Sequence, residues 1–216
     1  MVPIEALLFD VDETLVYYDV PNLHEELKKI VLNVIKYFDL NFGYETYKMM
    51  VNLRIPRTFV QEFGIDPVEF WKKIDNEILQ FRRRLAKQGL IKSYSDTDVL
   101  KSISVPIAAI SNASTKATEF VLEITGLKKY FKIIQGKDYK NLNGCKPSPY
   151  LVLKVSHMLG VNVTNTIMAG DSILDILAAK RAGSKAVHVK RYGDPISDAD
   201  VVVNNLYELR EIFNLG

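Results

Sequence analysis

Two aspartates two positions apart, Asp10 and Asp12, lie in the segment IEALLFDVDETL near the start of the chain. They follow an apolar run, Ala6, Leu7, Leu8 and Phe9, that reads as a strand buried on both faces of a parallel sheet. Residues two apart on an extended chain point the same way, so both carboxylates can address one site if the strand conformation persists to Asp12. Two acids in one place repel unless positive charge stands beside or between them. A divalent cation meets that need, and hard oxygen ligands suit magnesium. A lone D-x-D is more often no more than a strand end and a polar turn, so its weight depends on what the rest of the chain brings to the same place.

Further polar residues occupy equivalent positions. Ser111 and Asn112 follow the strand-like run Val105 to Ile110, and Asp171 and Asp175 follow the run Thr166 to Ala169. Lys146 precedes the helix that leads into that last run. Their chemistries are complementary. Asp10 can act as a nucleophile toward a phosphoryl group, and Asp12 can protonate a leaving oxygen and later deprotonate water. Ser111 offers a hydroxyl together with backbone N–H groups at a helix start, which suit phosphate oxygens. Lys146 can offset the negative charge of the transferring group. Asp171 adds a third carboxylate for a metal, and Asp175, four positions on, can hold that carboxylate in place. No G-x-x-x-x-G-K-S/T loop for a nucleoside triphosphate occurs.

The elements that must position these residues follow from periodicity. Strand-like runs at 6–9, 105–110, 131–135, 166–169 and 186–189 alternate with helical patterns from Ser93 onward, and a short strand and a helix follow Asp200. This rhythm predicts an α/β fold, a doubly wound parallel sheet whose strands present their C-terminal ends along one edge. Between the first strand and the rest, the pattern is helical. Asn22 and Glu25 predict a capping-box start to a helix running to Phe38, Pro56 breaks the middle, and a long helix spans about Val68 to Lys87. The division expected is a core of residues 1–16 and 93–216 with an inserted helical cap at 17–92, in which Val16 to Asp19 form a hinge.

Composition excludes little but is consistent. The chain has 216 residues, 48% hydrophobic and 25% charged, with a net charge of +2 that calls for no nucleic acid. A single cysteine, Cys145, rules out an internal disulfide. No apolar run is long enough to span a membrane, and the start lacks a leader-like pattern, so the expectation is a cytoplasmic protein with no membrane partner. His24, His157 and His188 show no ligand spacing.

Taken together, these residues resemble the haloacid dehalogenase-like (HAD) hydrolase superfamily. Its D-x-D-x-T motif is matched by Asp10, Val11, Asp12, Glu13 and Thr14, its hydroxyl motif by Ser111, its lysine by Lys146 and its acidic motif by Gly170 to Asp175. The helical insertion resembles the C1-type cap of the phosphoglycolate phosphatase-like branch. Glu13 departs from the pattern, since many relatives carry glycine there. The resemblance implies a magnesium-dependent phosphatase acting on a small-molecule phosphate ester through an aspartyl phosphate. In it Asp10 is the nucleophile and Asp12 the acid and base. Thr14, Ser111, Asn112 and Lys146 bind phosphate, Mg2+ is held by Asp10, Asp12 and Asp171, and Asp175 supports that shell. A phosphomutase or a catalytically silent binding protein of the same fold are the alternatives. In the cap, Arg54 and Arg57 could meet a second anionic group of a substrate but are expected at a solvated surface, and Arg82 to Arg84 are expected on an exposed helix face.

Overall fold

A computed structural model describes residues 3–216. Its centre is β1 (Ala6–Phe9), every residue of which is fully buried. Seven further strands follow in chain order: β2 (Val16–Tyr18), β3 (Ile91–Ser93), β4 (Ile107–Ser114), β5 (Ile133–Lys137), β6 (Thr166–Gly170), β7 (Lys185–Val189) and β8 (Val201–Val203). The main sheet has the order β5-β4-β1-β6-β7-β8, and all its pairings are parallel.

The strand period of two is visible in the packing. Leu7, Phe9, Ile107, Ala109, Ile167, Ala169 and Val187 join one hydrophobic cluster. Leu8, Ala108, Ile110, Met168 and Ala186 join the cluster on the other face. Helices α4 (Thr115–Ile124) and α7 (Leu206–Ile212) cover the first face, and α5 (Tyr150–Leu159) and α6 (Ile173–Ala182) the second. Removing this apolar surface from water, at roughly 25 cal/mol per Å², is the main force holding the layers.

Because β1 has β4 on one side and β6 on the other, the chain switches direction across the sheet at β1, and a crevice opens beyond the C-terminal ends of these three strands. The register places the ends level: Phe9 pairs with Ala109 and with Ala169, so the residues just past them face a common space.

Between β2 and β3 lies a helical insert with its own core. It contains α1 (Leu23–Tyr37), α2 (Tyr44–Val51), a 3-10 turn at Phe59–Phe63 and α3 (Pro67–Lys87). Val34, Met50, Val60, Phe70, Trp71 and Ile74 are buried together there. Helix α3 begins with Asp66, whose side chain accepts from the Val68 N–H at 2.9 Å, and has proline at its first position.

Four expectations change. Val16 to Tyr18 is a strand, pairing antiparallel with Ile91–Ser93; three residues are too short to show a period, and the partner is remote in sequence. Asn22 does not cap α1: its φ of 55° is left-handed and its side chain makes no capping hydrogen bond, because that geometry turns it from the first-turn amides. Arg57 is buried, not solvated; its guanidinium lies 4.7 Å from the Trp71 ring, and Nη2 donates to the Val51 carbonyl at 3.2 Å. Arg82 is buried too, paired with an acid of the core, whereas Arg83 and Arg84 are exposed as expected.

Candidate active site

Asp10 is the first residue past β1, and its N–H donates to the Ala169 carbonyl at 2.9 Å, so the sheet's own hydrogen bonding fixes where its side chain emerges. Asp171 follows β6 directly, and Ser111 lies within β4, which runs on to Ser114 past a register shift after Ile110. A cleft of about 250 Å³ is lined here by Asp10, Asp12, Glu13, Ser111, Lys146 and Asp171, together with Asn112, Val51 and Leu174.

Lys146 is the cation of this cluster. Its Nζ lies 2.5 Å from Asp10 Oδ1 and 2.5 Å from Asp175 Oδ1, and donates to the Ile110 carbonyl at 3.1 Å. Its backbone is pinned by Asn112, which accepts from the Lys146 N–H and donates to the Lys146 carbonyl, both at 2.8 Å. Asn112 therefore aims the lysine, with its amide engaged on the backbone. Asp175 also takes the Ser172 N–H at 3.1 Å and its hydroxyl at 2.6 Å, at the start of α6. It fits only because residue 170 is glycine: a Cβ there would stand 2.4 Å from the Asp175 carboxyl carbon.

Thr14 stands behind the carboxylates. It is fully buried, its hydroxyl lies 2.8 Å from Asp171 Oδ1 and 3.1 Å from Asp10 Oδ2, and it accepts from the Asp171 N–H at 3.1 Å. The hydroxyl's contacts are thus with the acids themselves. Glu13 adopts a φ of 62° and keeps the left-handed turn at a cost of about 1–2 kcal/mol.

The electrostatics are those of crowded acids. Burial raises the Asp10 carboxyl well above its usual range; Lys146 opposes this, while Asp175, Asp171 and Asp12 add to it. Asp171 is pushed up to about 6 by burial and by Asp175. Glu13 is pushed up to about 7 by burial and by Asp171 and Asp12. Burial works against the Lys146 charge, but Asp10 and Asp175 outweigh it and hold the ammonium above its usual range.

Oxygens of Asp10, Asp171 and Asp175 all lie within 4.8 Å of one another. Three carboxylates facing one ammonium leave an excess of negative charge, and an all-oxygen donor set with that excess fits a hard divalent cation. The Asp12 carboxylate is outside this set. It turns instead toward the insert, where Arg82 Nη2 lies 2.7 Å from Oδ2 and the Tyr18 hydroxyl 2.5 Å from Oδ1.

Among the residues of this neighbourhood that, like Tyr18, carried no signal in the sequence as site residues, two are arginines. Arg82 is one. Arg191 is the other: it donates to the Thr14 carbonyl from Nε and Nη2 at 2.9 and 2.8 Å, and pairs with buried Asp96, so it braces the turn behind the cleft. Both meet their partners across long sequence separations, which no local pattern encodes.

The parallel sheet, the switch-point crevice and the acid cluster define a hydrolase of the haloacid dehalogenase type. The chain matches the haloacid dehalogenase-like hydrolase family over residues 4–183, and it belongs to that family. It is 39% identical over 108 residues to a phosphoglycolate phosphatase of Neisseria meningitidis, a match covering 48% of this chain and 45% of that protein. It is 27% identical over 226 residues to a putative pyrophosphatase, PpaX, of Clostridium perfringens, covering 97% of each. The match to the phosphoglycolate phosphatase thus spans about half of that protein's length. Among solved structures, a HAD hydrolase of Entamoeba histolytica superposes with a TM-score of 0.69 at 22% identity, covering 98% of each chain. CbbY of Rhodobacter sphaeroides, solved with phosphate, superposes with a TM-score of 0.68 at 18% identity, covering 95% of this chain and 96% of that one. These likenesses show the fold.

Proposed function

We propose that this chain is a magnesium-dependent phosphatase of a small phosphorylated metabolite, working through an aspartyl phosphate, in the cytoplasm. The observation that carries the reading is Asp10. It sits at the end of the central strand, at the edge of an open cleft, with Lys146 on one carboxylate oxygen and two further acids beside it. Phosphatase names among the relatives support the same reaction class.

In the first step an Asp10 oxygen forms a bond to phosphorus while the bond from phosphorus to the alcohol oxygen breaks, and Asp12 gives that oxygen its proton. In the second, water attacks the same phosphorus, its proton passes to Asp12, and the bond to Asp10 breaks, releasing inorganic phosphate. Ser111, at the edge of the cleft, offers a hydroxyl to the phosphate oxygens, and Lys146 holds Asp10 in place and offsets charge on the transferring group. A divalent cation held by Asp10, Asp171 and the Asp12 backbone carbonyl would shield the phosphate charge so that one anion can approach another. Asp175, already occupied by Lys146 and Ser172, steadies that set.

Residues 17–92 act as a cap in this reading, closing over the leaving group and excluding bulk water. The test is a panel of phosphorylated metabolites assayed for inorganic phosphate with magnesium and with chelator. Magnesium-dependent release from a subset of esters is expected. Transfer of phosphate between positions of a sugar phosphate without release would indicate a mutase, and silence across the panel would overturn the enzymatic reading.

A further inference from the structure

The Arg82–Asp12 pair joins the helical insert to the residue assigned as acid and base. Arg82 comes from α3, and its side chain is 9% exposed against 27% for Asp12. Nη2 of Arg82 holds Oδ2 of Asp12 at 2.7 Å, while the Tyr18 hydroxyl, from the strand leading into the insert, holds Oδ1 at 2.5 Å. The guanidinium is itself placed from two further sides. Nη1 reaches the Ala117 carbonyl on α4 at 3.4 Å, and Cζ lies 5.5 Å from the Tyr18 ring centre.

Helix α3 is also fixed on the core at a second point of the same face. Asp75 is seven residues, about two turns, before Arg82. Its two oxygens take Lys137 Nζ of β5 at 2.9 and 2.8 Å, and Tyr139 adds a bond at 2.6 Å, with Asp75 and Lys137 both buried. An acid at one end of this face and a base at the other, each matched by its opposite on the core, set both the rotation of α3 and its position along its axis. Arg82 is thereby delivered to Asp12 in one orientation.

A carboxylate with a donor on each oxygen has its plane fixed and its negative charge matched, and it keeps further lone pairs for a proton. That is the form required after the leaving alcohol has taken the proton from Asp12 and before water is deprotonated. We propose that Arg82 is a positioning residue for the second half-reaction: with Tyr18 it captures the Asp12 carboxylate once its proton is gone and orients it to take a proton from the water that attacks the phosphorus on Asp10. This rests on the phosphatase reading above and adds to it a residue from outside the core motifs.

The test is Arg82→Gln in the full chain, assayed with an alkyl phosphate and with p-nitrophenyl phosphate, together with a mass measurement of the phosphorylated enzyme during turnover. Because the aspartyl phosphate is common to both substrates, kcat should fall by about 10²-fold, toward one shared value, while kcat/KM, which reports the first step, stays within about threefold. The adduct on Asp10 should accumulate, with a burst of nitrophenol equal to the enzyme present. Arg82→Lys, which keeps a charge without the planar fork, should recover part of kcat. Adding Arg82→Gln to Asp12→Asn should slow adduct hydrolysis no further.

A fall in kcat/KM as large as that in kcat without adduct, or independent losses in the double variant, would overturn the assignment. Should Arg82→Gln not fold, Arg82→Lys and Tyr18→Phe are read by the same division between kcat and kcat/KM. Failure of the phosphatase reading is visible separately, as an inactive wild-type chain.

Discussion

Thr14 and Asp171, 157 positions apart in sequence, are bound to each other twice: the Thr14 hydroxyl lies 2.8 Å from Asp171 Oδ1, within reach to donate, and accepts from the Asp171 N–H at 3.1 Å. The turn after β1 is thus joined to the end of β6 by one buried oxygen, and the distance between Asp10 and Asp171 depends on it.

Thr14→Val, which keeps the shape, leaves the half-buried Asp171 N–H and carboxylate short of a partner. The expected loss is about 1–3 kcal/mol of stability. Metal affinity should also weaken by about 10–100-fold, since the ligand orientation relaxes. Denaturant unfolding and a magnesium titration of activity measure the two, and unchanged values of both would show that the hydroxyl is dispensable.

Asp10→Asn separates stability from function. It removes the nucleophile and should lower kcat by at least ~10³. It also removes one of the crowded buried charges, so the metal-free variant should unfold no earlier than the metal-free wild type, with Asp175 still pairing Lys146. Activity within tenfold of wild type would remove Asp10 from its role.

Glu13→Gly should relieve the left-handed strain at φ 62° and withdraw a carboxyl pushed up to about 7 beside the other acids. Glycine's greater unfolded-state freedom opposes this by roughly 0.5–1 kcal/mol, so the net effect expected is neutral to mildly stabilising at pH 7.5. A thermal melt that falls by more than a few degrees would show that the side chain contributes contacts beyond the turn.

The acids also set a pH dependence. Asp171, at about 6, and Glu13, at about 7, bind protons more tightly folded than unfolded, where their values are 3.8 and 4.5. Stability from these groups is therefore fully present below their unfolded values and is lost as pH rises through 6 and 7. In chelator the melting temperature should decline from pH 5 to pH 8. Saturating magnesium should cancel that decline, because binding to the ionised cluster favours the folded state by mass action. A flat profile in chelator, or no response to magnesium at pH 8, would contradict the charge balance described here.

Much of this molecule is determined locally. The four-residue run before Asp10 is apolar throughout because β1 is buried on both faces, and alternation of such runs with helical patterns is enough to specify a parallel sheet and its functional edge. The residue types at the strand ends could therefore be read as one cluster, and the structure does bring Asp10, Ser111, Lys146 and Asp171 to a common cleft. What local pattern does not carry is which partner each charged group finds. Arg82 belongs to a run of three arginines and Arg57 to an irregular part of the insert beside Pro56, and both read as surface; both are buried, one on an acid of the core and the other on Trp71. The pairing of β2 with β3 is equally invisible, since three residues show no period and their partner lies across the whole insert. Tertiary structure also decided that the Asp12 carboxylate, though it lines the same cleft, is held by Arg82 and Tyr18 and stands outside the cluster of the other three acids. Periodicity places a side chain on a face, but its final direction is set by the strongest opposite charge within reach, and that charge arrives only when α3 docks.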